Sequence, residues 1–116
     1  MAAIIEVHTT IDSREAAQKI AEALVSKRLA ACVQVSGPIT STYWWQGSVE
    51  QAEEWLCTAK TRKELYPDLE QAIREVHTYD TPEILAVDVV VGNESYLHWV
   101  EQETTSDTER TASAGA

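Results

Sequence analysis

The sequence predicts one α+β domain, and three observations support this class. Stretches that alternate apolar and polar residues, as strands do, are interleaved with stretches that repeat apolar residues at helical spacing. Their order is strand, helix, strand, strand, helix, strand, followed by a short helix. A chain of 116 residues with 44% hydrophobic residues can bury one core without disulfides or structural metals.

The first strand and the first helix are predicted within residues 3–28. Residues 3–10 alternate, with Val7 on the apolar side of the strand and Glu6 on the other. Asp12 and Glu15 have the spacing of a capping box, which opens many helices. Apolar residues then recur every three or four positions, which predicts a helix over residues 13–28.

A long hairpin is predicted next, with strands at residues 29–45 and 48–61 and a tight turn at Gln46-Gly47. Residues 31–45 would reach about 50 Å at ~3.3 Å per residue. A compact domain of this size has a diameter of roughly 35 Å. The hairpin should therefore protrude and leave aromatic surface and strand edges that a second copy of the chain would cover.

Gly37-Pro38 interrupts the first strand of this hairpin and predicts a bulge, because proline cannot donate to a ladder. One extra residue at this point brings the apolar faces of the two strands into agreement. The shifted register predicts three cross-strand pairs: Val33 with Ala59, Val35 with Cys57, and Cys32 with Lys60. The two cysteines then point to opposite faces, so no disulfide is expected between them.

The second half of the domain is predicted to contain a helix, a strand and a short final helix. Thr61 and Glu64 form a second capping-box candidate, followed by a helical turn, a kink at Pro67 and a main helix over residues 67–76. Residues 83–91 are predicted as a strand, and Asn93 as the cap of a helix that ends at residue 100.

This element order specifies the ferredoxin-like sandwich, in which two helices cover one face of a four-stranded antiparallel sheet. Residues 1–102 are assigned to this domain. Residues 103–116 are rich in Thr, Ser, Ala and Gly without apolar periodicity, so a disordered tail is predicted.

Composition narrows the class of partner and the compartment. A net charge of −10 argues against nucleic-acid binding, which draws on clustered Lys and Arg. The sequence shows neither a secretory leader pattern nor a stretch of ~20 apolar residues, so no membrane contact is expected. A cytoplasmic location with reduced cysteines is the resulting expectation.

Four motifs resemble those of the CutA divalent-cation tolerance family. They are RLAACV at residues 28–33, TSTYWWQG at 40–47, HTYDTPE at 77–83 and YLHW at 96–99. The similarity runs in order from about residue 4 to residue 100. It implies a stable homotrimer in which the long hairpins pair with strands of neighbouring subunits, an architecture similar to the trimeric PII signalling proteins, and a role in tolerance of copper and other divalent metals.

The resemblance also implies binding residues at clefts between subunits and two histidine ligands for Cu or Zn. The cleft residues are Cys32, Tyr43, Trp45, Glu54, Lys60, Thr61, Tyr79 and Glu83, and the metal ligands are His8 and His77. This chain departs from the family where Thr78 replaces a proline, where His8 replaces a cysteine found in copper-linked members, and where Val76 replaces a second histidine. Imidazoles without thiols suit Cu(II) or Zn better than Cu(I).

Three functions stay open on the sequence. The first is a non-enzymatic trimer that binds a metal ion or small ligand at its clefts. The second is a PII-like signalling or scaffold trimer that recruits a protein partner without metal. The third is an enzyme using Lys60, Glu54 and Tyr79, although no known catalytic motif occurs. A purely structural alternative treats the charged residues as interface ion pairs, the aromatics as packing between subunits and Cys32 as a small hydrophobe.

Overall fold

The computed structural model describes residues 2–105, in which two helices cover one face of an antiparallel sheet. Its elements are β1 (Ile4–Ile11), α1 (Arg14–Ser26), β2 (Cys32–Trp45), β3 (Ser48–Arg62), α2 (Tyr66–Val76), β4 (Ile84–Asp88) and α3 (Glu94–Glu103). The sheet order is β2-β3-β1-β4, and all pairs are antiparallel. The predicted α+β class and ferredoxin-like order are therefore confirmed.

The core lies between the helices and one face of the sheet. Val7 of β1 and Ala59 of β3 are paired on this face, and they are buried together with Leu24 of α1 and Ile73 of α2. Each such large aliphatic side chain stabilises the fold by about 1.5–3 kcal/mol. The opposite face of the sheet, called the open face below, carries half-buried polar residues such as Glu6 and Lys60.

Both predicted capping boxes are wrong. Ser13, and not Asp12, caps α1, because its backbone is extended and its Oγ accepts the Ala16 N–H at 3.1 Å. Thr61 belongs to β3, and its Oγ1 donates to the Leu29 carbonyl at 2.6 Å instead of capping a helix. Helix α1 also ends two residues earlier than predicted, since Arg28 has a left-handed φ of 57° that a helix cannot continue through.

The break before the second helix is confirmed. A 3₁₀ turn over Lys63–Leu65 precedes α2, which has Pro67 in its first turn. A proline is tolerated there because the N–H groups of the first turn have no acceptor within the helix. Strand β4 is shorter than predicted, although the Val89 N–H still bonds the Ile4 carbonyl at 3.0 Å. Asn93 precedes α3 as predicted, but its side chain makes no capping hydrogen bond.

The end of the domain lies beyond the predicted boundary at residue 102. Helix α3 continues to Glu103, and Thr104 is buried where it accepts a hydrogen bond from Arg62. Of the predicted disordered tail, residues 103–116, all residues from 106 onward lie outside the described residues. None of the helices within residues 2–105 is long and apolar enough to cross a membrane.

The hairpin protrudes and carries the predicted bulge. All three predicted cross-strand pairs are present, and the register shifts by one residue between Ser36 and Ile39. Pairing with β1 ends at Trp55, so the outer part of the hairpin pairs only with itself. The described residues extend over 57 × 28 × 21 Å with a radius of gyration of 15.7 Å, above the ~13 Å of a compact domain.

The bulge generates a prediction for Gly37→Ala. At its φ of 155°, an added Cβ would lie 2.6 Å from Cδ1 of Trp55, so both backbone strain and a clash with an indole ring would follow. We expect the free energy of unfolding in urea to fall by about 2–4 kcal/mol.

Gly47→Ala is the matched control. Gly47 has a φ of 81° in the hairpin turn, but its Cβ would meet nothing within 4 Å. A loss of only ~1 kcal/mol is expected from strain alone. Equal losses for the two variants would contradict a clash at the bulge.

Candidate functional site

The structure separates the predicted site residues into distinct places. Glu54 and Tyr79 contact each other at the base of the protruding hairpin, and Tyr43, which pairs with Glu50 farther out, is near enough to raise the pKa of Tyr79. Cys32 and Lys60 lie together on the open face. The remaining three predicted cleft residues stand apart from both groups: Thr61 in the core, Trp45 at the hairpin tip, and Glu83 exposed before β4.

The hairpin base is built around a buried carboxylate. Glu54 lies one residue beyond the end of the β1 pairing and is only 7% exposed. The loop after α2 covers it, and the Tyr79 hydroxyl donates to Glu54 Oε2 at 2.8 Å. Burial raises the pKa of Tyr79 above its ordinary value of 10.0, and the nearby Glu54, Asp12 and Tyr43 raise it further. Tyr79 is therefore a fixed hydrogen-bond donor at neutral pH.

His77 connects this loop to the end of β1. Its Nε2 lies 2.8 Å from the Thr10 carbonyl, and its Nδ1 accepts the backbone N–H of Tyr79 at 3.1 Å. The rings of His77 and Tyr79 meet edge to face at a centroid distance of 4.8 Å. Both ring nitrogens are thus used by backbone groups.

The open-face cluster consists of Glu6, His8, Cys32, Lys60 and Tyr96. His8 Nε2 is 2.6 Å from Glu6 Oε1, and Lys60 Nζ is 3.9 Å from the other Glu6 oxygen. Lys60 also donates to Gln34 Oε1 at 2.7 Å.

Tyr96 contributes to this cluster from α3. Burial raises the pKa of Tyr96, and the neighbouring Cys32 and Glu6 raise it further. Together these side chains offer a carboxylate, an imidazole, an ammonium and a thiol within one half-buried patch.

Sequence reasoning missed Glu6 and Tyr96 as members of this cluster. The signal for Glu6 was its alternation with His8 on β1, which places both on the open face. Its contact with Lys60 depends on the register between β1 and β3, two strands far apart in the chain. Cys57 points to the other face of the sheet, as the predicted register required, and burial in the core raises the pKa of its thiol to about 11.

Comparison with known proteins decides the family. A family model described as CutA1 divalent ion tolerance protein matches residues 5–103 of this chain. The chain belongs to the CutA1 divalent ion tolerance protein family. The resemblance drawn from the four sequence motifs is thereby confirmed.

Curated CutA relatives cover most of this chain. The divalent-cation tolerance protein CutA of Thermus thermophilus is 42% identical over 95 residues, which are 82% of this chain and 92% of the relative. The mouse protein CutA is 45% identical over 97 residues, which are 84% of this chain. This chain spans about half the length of the mouse relative, at 55%.

Solved CutA1 structures share the fold. The Thermus thermophilus protein superposes with a TM-score of 0.84 at 40% identity, covering 86% of this chain and 97% of that one. The Ehrlichia chaffeensis protein superposes with a TM-score of 0.87 at 30% identity, covering 91% and 99%. The chain therefore has the fold of the solved CutA1 structures.

The donors for a divalent ion in this CutA1 chain are incomplete. Within residues 2–105, no three His, Cys, Asp or Glu side chains form a group that could hold a metal. His8 and Glu6 supply one close pair, whereas His77 is bonded to backbone groups at both nitrogens. Protein sites for zinc use three or four protein ligands, so residues 2–105 do not by themselves present a complete set.

The buried pair generates a prediction for Tyr79→Phe. Removing the hydroxyl leaves the Glu54 carboxylate buried without this donor. The free energy of unfolding at pH 7 should therefore fall by about 1–3 kcal/mol. The double variant with Glu54→Gln should lose less than the sum of the two single losses, measured in a double-mutant cycle. Additive losses would show that the two side chains do not interact.

The same variant should change the alkaline limb of the stability profile. The folded-state pKa of Tyr79 is raised above the unfolded value near 10, so the protonated phenol stabilises the native state. This contribution is complete below pH 10 and is lost as the pH rises above it. The free energy of unfolding should fall more steeply above pH 10 in the wild type than in Tyr79→Phe, in which Tyr66 and Tyr96 still titrate.

Proposed function

We propose that this CutA1 chain is a non-enzymatic homotrimer that contributes to the response to divalent metal ions, copper among them, by binding a metal ion or a small ligand at clefts between subunits. The observation that carries the proposal is the hairpin that extends beyond its own core. The names of its relatives support metal tolerance.

The hairpin tip is an apolar surface that one subunit leaves uncovered. Trp44 is 75% exposed, and Trp45 and Val49 are more than half exposed. Large exposed apolar patches on soluble proteins mark interaction sites. The hairpin strand β2 is also an edge strand, whose outer hydrogen-bonding groups can pair with another chain.

A second uncovered surface lies on the other side of the sheet. β4 is the opposite edge strand, and Val90, beyond its end, is 92% exposed. Val87 and Val91 are also exposed there. Contact between two different surfaces of identical chains is heterologous, and such contacts form a ring when the rotation between subunits closes. The ring of three follows from the resemblance to CutA trimers and links assembly to the stability of each subunit.

Such an assembly would place the hairpin base and the open-face cluster near neighbouring subunits. Both are half-buried in one chain and carry polar groups that a ligand can contact. His8 and Glu6 are two donors, and equivalent or different donors from another subunit would complete a metal site. Imidazole and carboxylate suit Cu(II) or Zn.

A cytoplasmic location is part of this proposal. Cys32 and Cys57 are both free and point to opposite faces of the sheet, as expected for a protein kept in a reducing compartment.

The first prediction from this proposal concerns assembly. The combined change Trp44→Ser and Trp45→Ser removes the apolar tip, so native mass spectrometry should show the trimer shifted toward monomer. Val25→Ser removes a comparable exposed apolar residue from α1, 42% exposed, and should leave the trimer intact. An unchanged trimer in the double tryptophan variant would remove the hairpin tip from the interface.

The second prediction concerns metal. Zn²⁺ or Cu²⁺ added to chelator-treated protein should raise the melting temperature. At a free metal concentration one hundred times Kd, the free energy of unfolding should increase by about 2.7 kcal/mol. His8→Ala and Glu6→Gln should each weaken this shift, whereas His98→Ala, on the exposed surface of α3, should retain it. A trimer that binds neither metal would favour the PII-like scaffold, whose partner would be recovered without metal.

A further inference from the structure

We propose that His77 is a positioning residue and not a metal ligand in this chain: its neutral ring fixes the loop of residues 77–83 and so holds the Tyr79 hydroxyl on Glu54. The inference removes one of the two imidazoles that the family resemblance implies for metal. It rests on the proposed function only for the use of the Glu54–Tyr79 pair in the cleft. The role of the ring stands on geometry.

The two hydrogen bonds of His77 determine its tautomer. The backbone N–H of Tyr79 can only donate, so Nδ1, at 3.1 Å, must present a lone pair. The carbonyl of Thr10 can only accept, so Nε2, at 2.8 Å, must carry the proton. The ring is therefore neutral with its proton on Nε2.

This arrangement leaves no nitrogen lone pair for a metal ion. A metal-bound histidine uses one deprotonated ring nitrogen as the ligand, while the other donates to a neighbouring acceptor. In His77 the donor position is satisfied by Thr10, but the ligand position is occupied by the Tyr79 N–H. A metal at Nδ1 would have to displace this N–H and turn the backbone of the loop.

The same bonds make His77 the connection between three parts of the fold. Its own N–H bonds the Ile73 carbonyl at the end of α2, its Nε2 bonds the end of β1, and its Nδ1 bonds the loop at Tyr79. Thr78 lies between the two bonded residues and has no ring to fix its φ. The imidazole thus supplies the constraint that directs Tyr79 toward the hairpin base.

His8 differs from His77 in each of these respects. Its Nε2 contacts the carboxylate side chain of Glu6, and within residues 2–105 its ring makes no hydrogen bond to a backbone group. The open-face cluster around it contains further polar side chains. Of the two implied ligands, His8 is the one whose surroundings permit coordination.

The chain contains three histidines, so imidazole ¹⁵N–¹H spectra of the full-length wild-type protein can test the inference directly. Before metal is added, His77 should show protonated Nε2 and unprotonated Nδ1. During titration with Zn²⁺ to one ion per subunit, the His8 signals should shift and those of His77 should stay in place. A proton on Nδ1 of His77, or a stoichiometric shift of its nitrogens with Zn²⁺, would overturn the inference.

These outcomes separate the inference from the proposed function. If Zn²⁺ shifts no histidine signal, metal binding by these residues fails, while the tautomer of His77 still tests its positioning role. If only His98 shifts, the metal binds at the exposed surface of α3 and the proposed metal site fails.

Two variants test whether the ring acts through Tyr79. His77→Phe keeps the ring but loses both hydrogen bonds, so the pKa of Tyr79, followed by ¹³C NMR of its phenol carbon, should fall toward the ordinary value. His77→Asn retains an acceptor for the N–H two residues on, as in an Asx-turn, and should keep the raised value. His98→Phe is the control for adding an aromatic ring elsewhere.

An unchanged titration of Tyr79 in His77→Phe would show that the loop holds its position without the imidazole and would overturn the positioning role. If His77→Phe does not fold, His77→Asn and the wild-type tautomer measurement still decide the inference.

Discussion

Strand β3 is the element on which the rest of the structure depends. Its inner half, from Trp55 to Arg62, pairs with β1 on one side and β2 on the other, and its outer half pairs with β2 alone. The inner half is anchored by core residues such as Cys57 and Ala59. Because β3 is one continuous strand from Ser48 to Arg62, it connects the core to a hairpin end that has no core of its own.

The bulge at Gly37 makes this arrangement possible. Below it, β2 must turn Val33 and Val35 toward the helices, and above it the same strand continues to the hairpin tip in a register shifted by one residue. The backbone of Gly37 lies close against the ring of Trp55, where a side chain would not fit. Glycine at this position therefore allows one strand to be buried in its inner part and to protrude in its outer part.

The candidate site at Glu54 lies where the buried part of the sheet meets the protruding part of the hairpin. Glu54 precedes Trp55, the outermost residue of β3 that pairs with β1, so the loop of His77 and Tyr79 covers its carboxylate where β1 no longer does. The open-face cluster lies on the sheet face opposite α1 and α2, where the side chains of Lys60 and His8 both lie next to the Glu6 carboxylate. Both groups are partly covered within one subunit, which fits clefts that a neighbouring subunit would close.

The sequence by itself determined the features that depend on neighbours in the chain. The alternation of β1, the helical repeats and the one-residue shift at Gly37-Pro38 gave the element order, the paired faces and the opposite orientation of the two cysteines, because each follows from the period of a strand or a helix. The overhang of the hairpin followed from its length alone. These properties are local in the sequence, and the folded chain keeps them.

The tertiary structure decided the features that depend on groups brought together from distant segments. Thr61 has a capping-box spacing, yet the carbonyl of Leu29 takes its hydroxyl, and Ser13 replaces Asp12 as a cap because of where β1 ends. His77 looks like a metal ligand in a motif, but Thr10 lies 67 residues earlier in the chain and occupies its Nε2. A hydrogen bond between such distant residues exists only once the sheet has formed, so no local pattern encodes it.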